Sequence, residues 1–148
     1  PATGEFDRTP PRPADVRVEI QGRKRKFFEL ARRVAEQQST HSYRHGAVLV
    51  KGSTVRNVSA NKNKFKGWGA RFRHKDCGHA THHAELGCIL GVDRKQTTSA
   101  TVYVVRVGKN GEFKMSKPCT MCQSVLKYVG IKKVYYTTSN DQYEVMKL

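Results

Sequence analysis

Apolar residues recur at helical spacing across residues 23–38. Positions three and four apart lie on one face of a helix, so such spacing predicts an amphipathic helix. The remaining positions are mostly Arg, Lys and Glu, which suit a solvated face. The stretch is therefore predicted to be a helix that lies on a sheet with these residues inward: Phe27, Leu30, Ala31, Val34 and Ala35.

Short runs of a different period predict strands. Residues 46–50 form a continuous apolar run, 51–53 interrupt it, and 54–60 alternate, so the segment is predicted to be a β-hairpin. Residues 100–107 are almost entirely apolar and rich in β-branched side chains, as expected for a central strand buried on both faces. A further strand is predicted over 131–137, and the tail 138–148 adds a short edge strand.

Two more helices are predicted between these strands. One runs from about 83 to 90, with Thr81 as a candidate cap. The other runs from about 119 to Gly130, a residue that favours a helix end. Because this second helix connects two neighbouring strands, those strands are expected to be parallel with a right-handed crossover.

Length and composition indicate one folded domain. The chain has 148 residues and no uninterrupted apolar run of membrane-spanning length, so no membrane partner is expected. Residues 1–15 are proline-rich and are predicted to be a flexible N-terminal tail, of which 1–6 resemble an expression remnant. The domain is predicted to cover 16–148.

The cysteine content favours a reducing compartment. Four cysteines could form two disulfides in a secreted chain, but no signal-peptide pattern precedes them. Two of the four have the spacing of metal ligands. The protein is therefore predicted to be intracellular, cytoplasmic or nuclear, and not secreted.

The charge predicts a polyanionic partner. The formal net charge is +16, and residues 37–84 hold nine basic residues and one acid. Within this region the loop 61–81 mixes lysines and arginines with Phe65, Trp68 and Phe72, a combination that suits single-stranded DNA or RNA. A solvated basic surface, with Phe65 and Phe72 covering the core, is the simpler alternative.

Two segments carry the chemistry: residues 83–85, His-Ala-Glu, and residues 118–122, Pro-Cys-Thr-Met-Cys. Two thiolates and one imidazole leave a tetrahedral zinc with its fourth position available to water, which is typical of a catalytic ion. We therefore predict one Zn²⁺ held by His83, Cys119 and Cys122. Residues two apart point to opposite sides of a helix, so His83 is expected to precede the helix that contains Glu85.

Other cysteines and histidines leave alternatives open. A second, structural metal site could use residues of the 74–82 segment, although their spacing matches no standard set; loop polarity is the alternative. The candidates are His74, Cys77, His79 and His82. Cys88, one turn beyond Glu85, is expected to be a small buried hydrophobic residue.

The two segments together are the signature of zinc nucleobase deaminases. Over about 27–137 the chain resembles the cytidine and deoxycytidylate deaminase superfamily in both motifs and in the order of its elements. The resemblance implies an α/β fold: three α-β-α layers around a mixed sheet of about five strands, the last two parallel. It also implies that Glu85 moves protons as general base and then acid, and that the backbone of Ala84 lines the base pocket. By the same resemblance Asn61, or Asn63 if the loop register differs, contacts the substrate. Members of the superfamily often assemble through helix faces, so a homo-oligomer is one option, and no apolar stripe in this sequence decides it.

The predicted activity is zinc-dependent hydrolytic deamination of cytosine to uracil in single-stranded DNA or RNA. Deamination of free (deoxy)cytidine nucleotides such as dCMP is the alternative, and adenosine in tRNA is a third, because the Met121-bearing cysteine segment is similar to that of tRNA adenosine deaminases. A nucleic-acid-binding protein without turnover is a different class. Glu85 argues against it, since a structural zinc site has no use for an acid beside the metal.

Overall fold

The computed structural model describes residues 18–19, 22–39, 44–65 and 81–148, with the backbone alone for 18–19, 62–65 and 81–82. The predicted tail 1–15 lies outside these residues. Within them, no helix combines the length and the apolar character needed to cross a membrane.

A mixed sheet occupies the centre of the described chain. In chain order its strands are β1 (Val18–Glu19), β2 (Arg44–Lys51), β3 (Thr54–Ala60), β6 (Thr101–Val107), β7 (Phe113–Lys114), β8 (Lys133–Ser139) and β9 (Gln142–Lys147). Their spatial order is β1-β9-β8-β6-β2-β3, with the short β7 beside β6. A separate two-stranded sheet pairs β4 (Lys62–Phe65) with β5 (Thr81–His82).

The predicted hairpin is present as β2 and β3. The strands pair antiparallel with a register shift between Leu49 and Val50. Gly52 and Ser53 make the turn with φ values of +60° and +66°, the left-handed backbone that two-residue hairpin turns require.

In the part of the chain that the structure describes, four helices flank the strands: α1 (Gly22–Gln38), α2 (Ala84–Gly87), α3 (Arg94–Thr97) and α4 (Thr120–Tyr128). The strands on either side of α4, β6 and β8, pair parallel as predicted. The chain then returns through β9, antiparallel to β8. The residues 138–148 were predicted to add a short edge strand. They do form a strand, β9, but the edge strand is β1, which pairs with the far side of β9.

Two apolar clusters, one on each face of the sheet, give the predicted three layers. The even-numbered residues Val48 and Val50 of β2 pack with Phe27, Phe28 and Ala31 of α1. The odd-numbered Ala47 and Leu49 pack on the other face with α2 and α4, through Leu86, Met121 and Val125 among others. The alternation follows from the period of two along a strand.

Helix α1 approaches the sheet closely at Gly46. A Cβ atom at this position would lie 2.1 Å from the Ala31 carbonyl oxygen. The contact sets the close approach of α1 to β2.

Candidate active site

His83 lies immediately before α2, with the extended backbone that the sequence required of it. Its φ and ψ are −79° and 146°, and Glu85 follows within the helix. The capping prediction for Thr81 was wrong: Thr81 belongs to β5, and His83 is the N-cap, without a side-chain capping hydrogen bond. The helix is also shorter than predicted: it ends at Gly87, and residues 88–90 continue the chain as turns.

The two cysteines lie at the start of α4. Cys119 is the N-cap residue with extended backbone (φ −71°, ψ 167°), and Cys122 is buried in the first turn. The unpaired N–H groups of a helix N-terminus favour negative charge, so this position stabilises the thiolate form that binds metals.

The three predicted ligands lie together. His83 Nδ1 lies 3.1 Å from Cys122 Sγ and 3.9 Å from Cys119 Sγ, and all three donor atoms are within 4.8 Å of one another. Tetrahedral zinc with ordinary Zn–N and Zn–S bonds separates nitrogen from sulfur by about 3.6 Å and sulfur from sulfur by about 3.8 Å. The observed spacing brackets the nitrogen–sulfur value, so this donor set fits one zinc ion.

The electrostatics of the site favour a cation. The hydrogen bond with Cys119 raises the pKa of His83, burial acts against it, and the charges of Glu85 and Cys119 raise it further. The same negative charges that stabilise an imidazolium also attract a divalent metal ion.

Glu85 lies beside the candidate metal group without belonging to it. It is 5% exposed, in the single turn of α2, and it is close enough for its charge to raise the pKa of His83. Within the described part of the chain, no hydrogen bond to its carboxylate is present. A buried acid that is not committed to the scaffold can exchange protons with a bound substrate.

Buried hydrogen bonds hold the segment that leads to Cys119, a feature that sequence reasoning missed. The Ser116 hydroxyl accepts a bond from the Thr137 N–H (2.9 Å) and can donate to the Val104 carbonyl oxygen (2.9 Å). The Gln123 side chain donates to the Pro118 carbonyl oxygen at 2.8 Å. Nothing in the local sequence marks Ser116, because its partners belong to two other strands.

Asn61 lies at the end of β3 and is buried. Its Oδ1 accepts hydrogen bonds from the Ser39 hydroxyl (2.6 Å) and the His45 N–H (2.9 Å). Lys62 pairs with His82 in the small sheet, so Asn61 and His83 lie next to each other at one end of this ladder. The predicted substrate contact through Asn61 therefore has a position near the metal group, and the role itself stays a prediction.

Of the other residues singled out in the sequence, the structure describes the side chains of Ala84 and Cys88. Ala84 is buried at the start of α2, and its role in the base pocket stays a prediction. Cys88 is buried as expected; its thiol donates to the Glu85 carbonyl oxygen, and burial raises its pKa. Trp68, Phe72, and the second-site candidates His74, Cys77 and His79 lie outside the described residues, and Phe65, Asn63 and His82 are described by backbone alone.

Comparison with known proteins identifies the fold and the zinc region. The family model of the cytidine and deoxycytidylate deaminase zinc-binding region matches residues 21–138. A search of the curated proteins finds no match.

Solved structures show the same fold. The dCMP deaminase of the cyanophage S-TIM5, in apo form, is 18% identical with a TM-score of 0.53, and the match covers 77% of this chain and 81% of that one. RibD from Acinetobacter baumannii, form 2, is 18% identical with a TM-score of 0.51. That match covers 78% of this chain and only 28% of the RibD chain.

Proposed function

Because the chain belongs to the cytidine and deoxycytidylate deaminase zinc-binding family, we propose that it converts cytosine to uracil in single-stranded DNA or RNA by hydrolysis. The observation that carries this proposal is the convergence of one histidine and two cysteine donors at the starts of two helices, beside the buried Glu85.

His83, Cys119 and Cys122 would hold the zinc ion. A zinc ion bound there would act as a Lewis acid and would lower the pKa of a water molecule toward neutrality. Three protein donors would leave room on the ion for that water.

Glu85 is the proposed proton carrier. Its carboxylate accepts a proton from the attacking water and donates it to the ring nitrogen of the base, and then transfers the second proton to the departing amine. The overall reaction consumes one water and releases one ammonia. The burial of Glu85 keeps bulk water from competing for these transfers.

Asn61 and Ala84 are the proposed base contacts. Asn61 is held by Ser39 and by the backbone of His45, so its carboxamide is fixed before a substrate arrives. The backbone of Ala84, between His83 and Glu85, would line the pocket. A fixed contact of this kind orients the base so that the reacting carbon faces the metal group.

The charge of the chain favours a polynucleotide substrate. A formal net charge of +16 attracts a phosphate backbone more strongly than it attracts one nucleotide. Free nucleotides such as dCMP are the second candidate, because the S-TIM5 dCMP deaminase matches this chain over most of both lengths. Intracellular location and homo-oligomer formation stay predictions.

Product analysis tests the proposal. The zinc-loaded protein is incubated with a cytosine-bearing single-stranded oligonucleotide, dCMP, cytidine and adenosine-bearing RNA, and products are separated by chromatography. Uracil in the oligonucleotide, formed at a rate that falls steeply with salt, is the expected result. If dCMP is converted and the oligonucleotide is not, the protein is a nucleotide deaminase and the polynucleotide proposal is wrong. Formation of inosine would indicate an adenosine deaminase. The absence of product from every substrate would overturn the proposal.

A further inference from the structure

A row of nitrogen-bearing side chains crosses three strands at one end of the sheet. His45 of β2 lies directly opposite Arg106 of β6, and Arg106 lies directly opposite Lys114 of β7. Directly opposed residues in an antiparallel pair project to the same face of the sheet. We call these three residues the basic row.

The basic row lies on the face that carries the metal group. One rung further into the sheet, Ala47 pairs with Val104, and both pack in the cluster with α2 and α4. Two residues along a strand return to the same face, so His45 and Arg106 continue this face past its buried core.

The row extends toward the candidate active site at both ends. Asn61 donates its backbone N–H to the His45 carbonyl oxygen at 3.2 Å, and the ladder of β4 and β5 places Asn61 beside His83. At the other end, Lys114 is followed by the segment that the Ser116 hydrogen bonds fix before Cys119.

The charges of the row favour an anion. Like charges directly opposite each other destabilise a sheet, and Arg106 faces Lys114. Glu112 Oε2 lies 3.7 Å from Lys114 Nζ and offsets part of the repulsion between Arg106 and Lys114. Both side chains of this ion pair are more than a third exposed, so water screens their attraction. Arg106 is partly buried between His45 and Lys114, so a phosphate that it contacts would be screened by water less than one at an exposed arginine.

We propose that Arg106, assisted by Lys114, binds a phosphate group of the substrate and so selects nucleotides or polynucleotides over nucleosides. This inference rests on the proposed function. Neighbouring strands lie about 4.8 Å apart, so Arg106, two strands from Asn61, is about 10 Å from the proposed base contact. A nucleotide or its flanking phosphodiester can span this separation. The guanidinium fork suits two oxygens of one phosphate.

Kinetics on matched substrates test the assignment. The values of kcat/KM are measured for cytidine, dCMP and a cytosine-bearing oligonucleotide with wild type, Arg106→Ala and Arg106→Lys. The control is Arg33→Ala, which removes an exposed arginine of α1. Arg106→Ala is expected to lower kcat/KM about tenfold or more for the phosphate-bearing substrates that wild type accepts and to leave cytidine nearly unchanged. Arg106→Lys should recover part of the loss, because it keeps the charge and loses the fork.

The outcomes separate this inference from the proposed function. An equal loss on cytidine and dCMP, or the same loss in Arg33→Ala, overturns the role of Arg106. If wild type deaminates nothing, the proposed function fails, and calorimetric binding of dCMP against cytidine decides the inference. Tighter binding of dCMP than of cytidine by wild type, lost in Arg106→Ala, would support the phosphate-binding role of Arg106. Equal binding of dCMP and cytidine by wild type would overturn that role. Thermal melting of each variant confirms that the fold is retained.

Discussion

The Nδ1 atom of His83 lies 3.1 Å from the Sγ atom of Cys122, although 39 positions separate the two residues. The contact joins the start of α2 to the first turn of α4 across the face of the sheet. Because the donors are already within metal-binding distance, a zinc ion can bind with little rearrangement of the backbone.

Removal of zinc is expected to destabilise the protein. Free zinc at about a thousand times its Kd adds about 4 kcal/mol to the stability, which raises the melting temperature of a domain of this size by about 10 °C. Thermal melting with and without a chelator measures the shift, and the readdition of zinc should reverse it. Cys119→Ser should melt alike under both conditions. A wild-type melting curve that the chelator leaves unchanged would contradict this prediction.

Replacement of the proposed proton carrier should separate chemistry from structure. Glu85→Gln keeps the shape of the side chain and removes its basicity, so we expect a loss of about 10²–10⁴ in kcat with unchanged zinc content. Product chromatography and metal analysis of the same preparation measure the two properties. If Glu85→Gln retains wild-type kcat, another group carries the proton.

The described cysteines should differ in reactivity toward iodoacetamide. The thiolate is the reactive form, and burial raises the pKa of Cys88, so this residue should stay unlabelled in the folded protein. Cys119 is partly exposed and should be labelled readily once a chelator is present, while zinc protects it. Peptide mass spectrometry assigns each site. Equal labelling of Cys88 and Cys119 in folded, chelated protein would show that Cys88 is not buried.

Ser116 should act as a positioning residue for Cys119. Ser116→Ala leaves the buried Thr137 N–H without its side-chain acceptor, which costs about 1–3 kcal/mol of stability. Since the segment before Cys119 loses an anchor, zinc affinity should also fall by about tenfold or more. Metal titration and thermal melting measure both effects. The control is Ser139→Ala, at the partly exposed end of β8, which removes a side-chain hydrogen bond to Gln142. Unchanged zinc affinity would limit Ser116 to a structural role.

Gly46 should tolerate no side chain. A Cβ atom there would overlap the Ala31 carbonyl oxygen of α1, so Gly46→Ala is expected to cost about 3 kcal/mol or more of unfolding free energy. The matched control is Gly52→Ala, where no atom lies within 4 Å and the cost is only the left-handed backbone, about 1–2 kcal/mol. Urea denaturation compares the two. A loss at Gly46 no larger than the loss at Gly52 would show that α1 can move away.

Much of the fold could be predicted from the sequence because its signals are local. The helical period predicts α1, and the apolar run with the alternating segment predicts the hairpin. The two motifs predict the three metal-binding candidates that the structure brings together. The extended backbone at His83 followed from geometry alone, since a helical residue there could not face the same ion as Glu85.

The features that sequence reasoning missed depend on distant partners. The strands β1 and β7 have two residues each, too few to show a period. The segment 61–81 was predicted to be a loop, but it begins with the strand β4. The Lys and Asn residues of β4 are typical of loops, and only its pairing with the distant β5 makes it a strand. The basic row exists only through the register of β2 with β6, and no local pattern specifies which residues of two such distant strands face each other.

The brevity of α2 has a consequence in the cell. A helix of four residues cannot sustain itself, because the cost of its first turn exceeds what so few hydrogen bonds return. A bound zinc ion would link this turn to the start of α4. Zinc starvation should therefore reduce the amount of folded protein as well as its activity. Degradation would remove the metal-free chains first, and the pool that survives would be enriched in working enzyme.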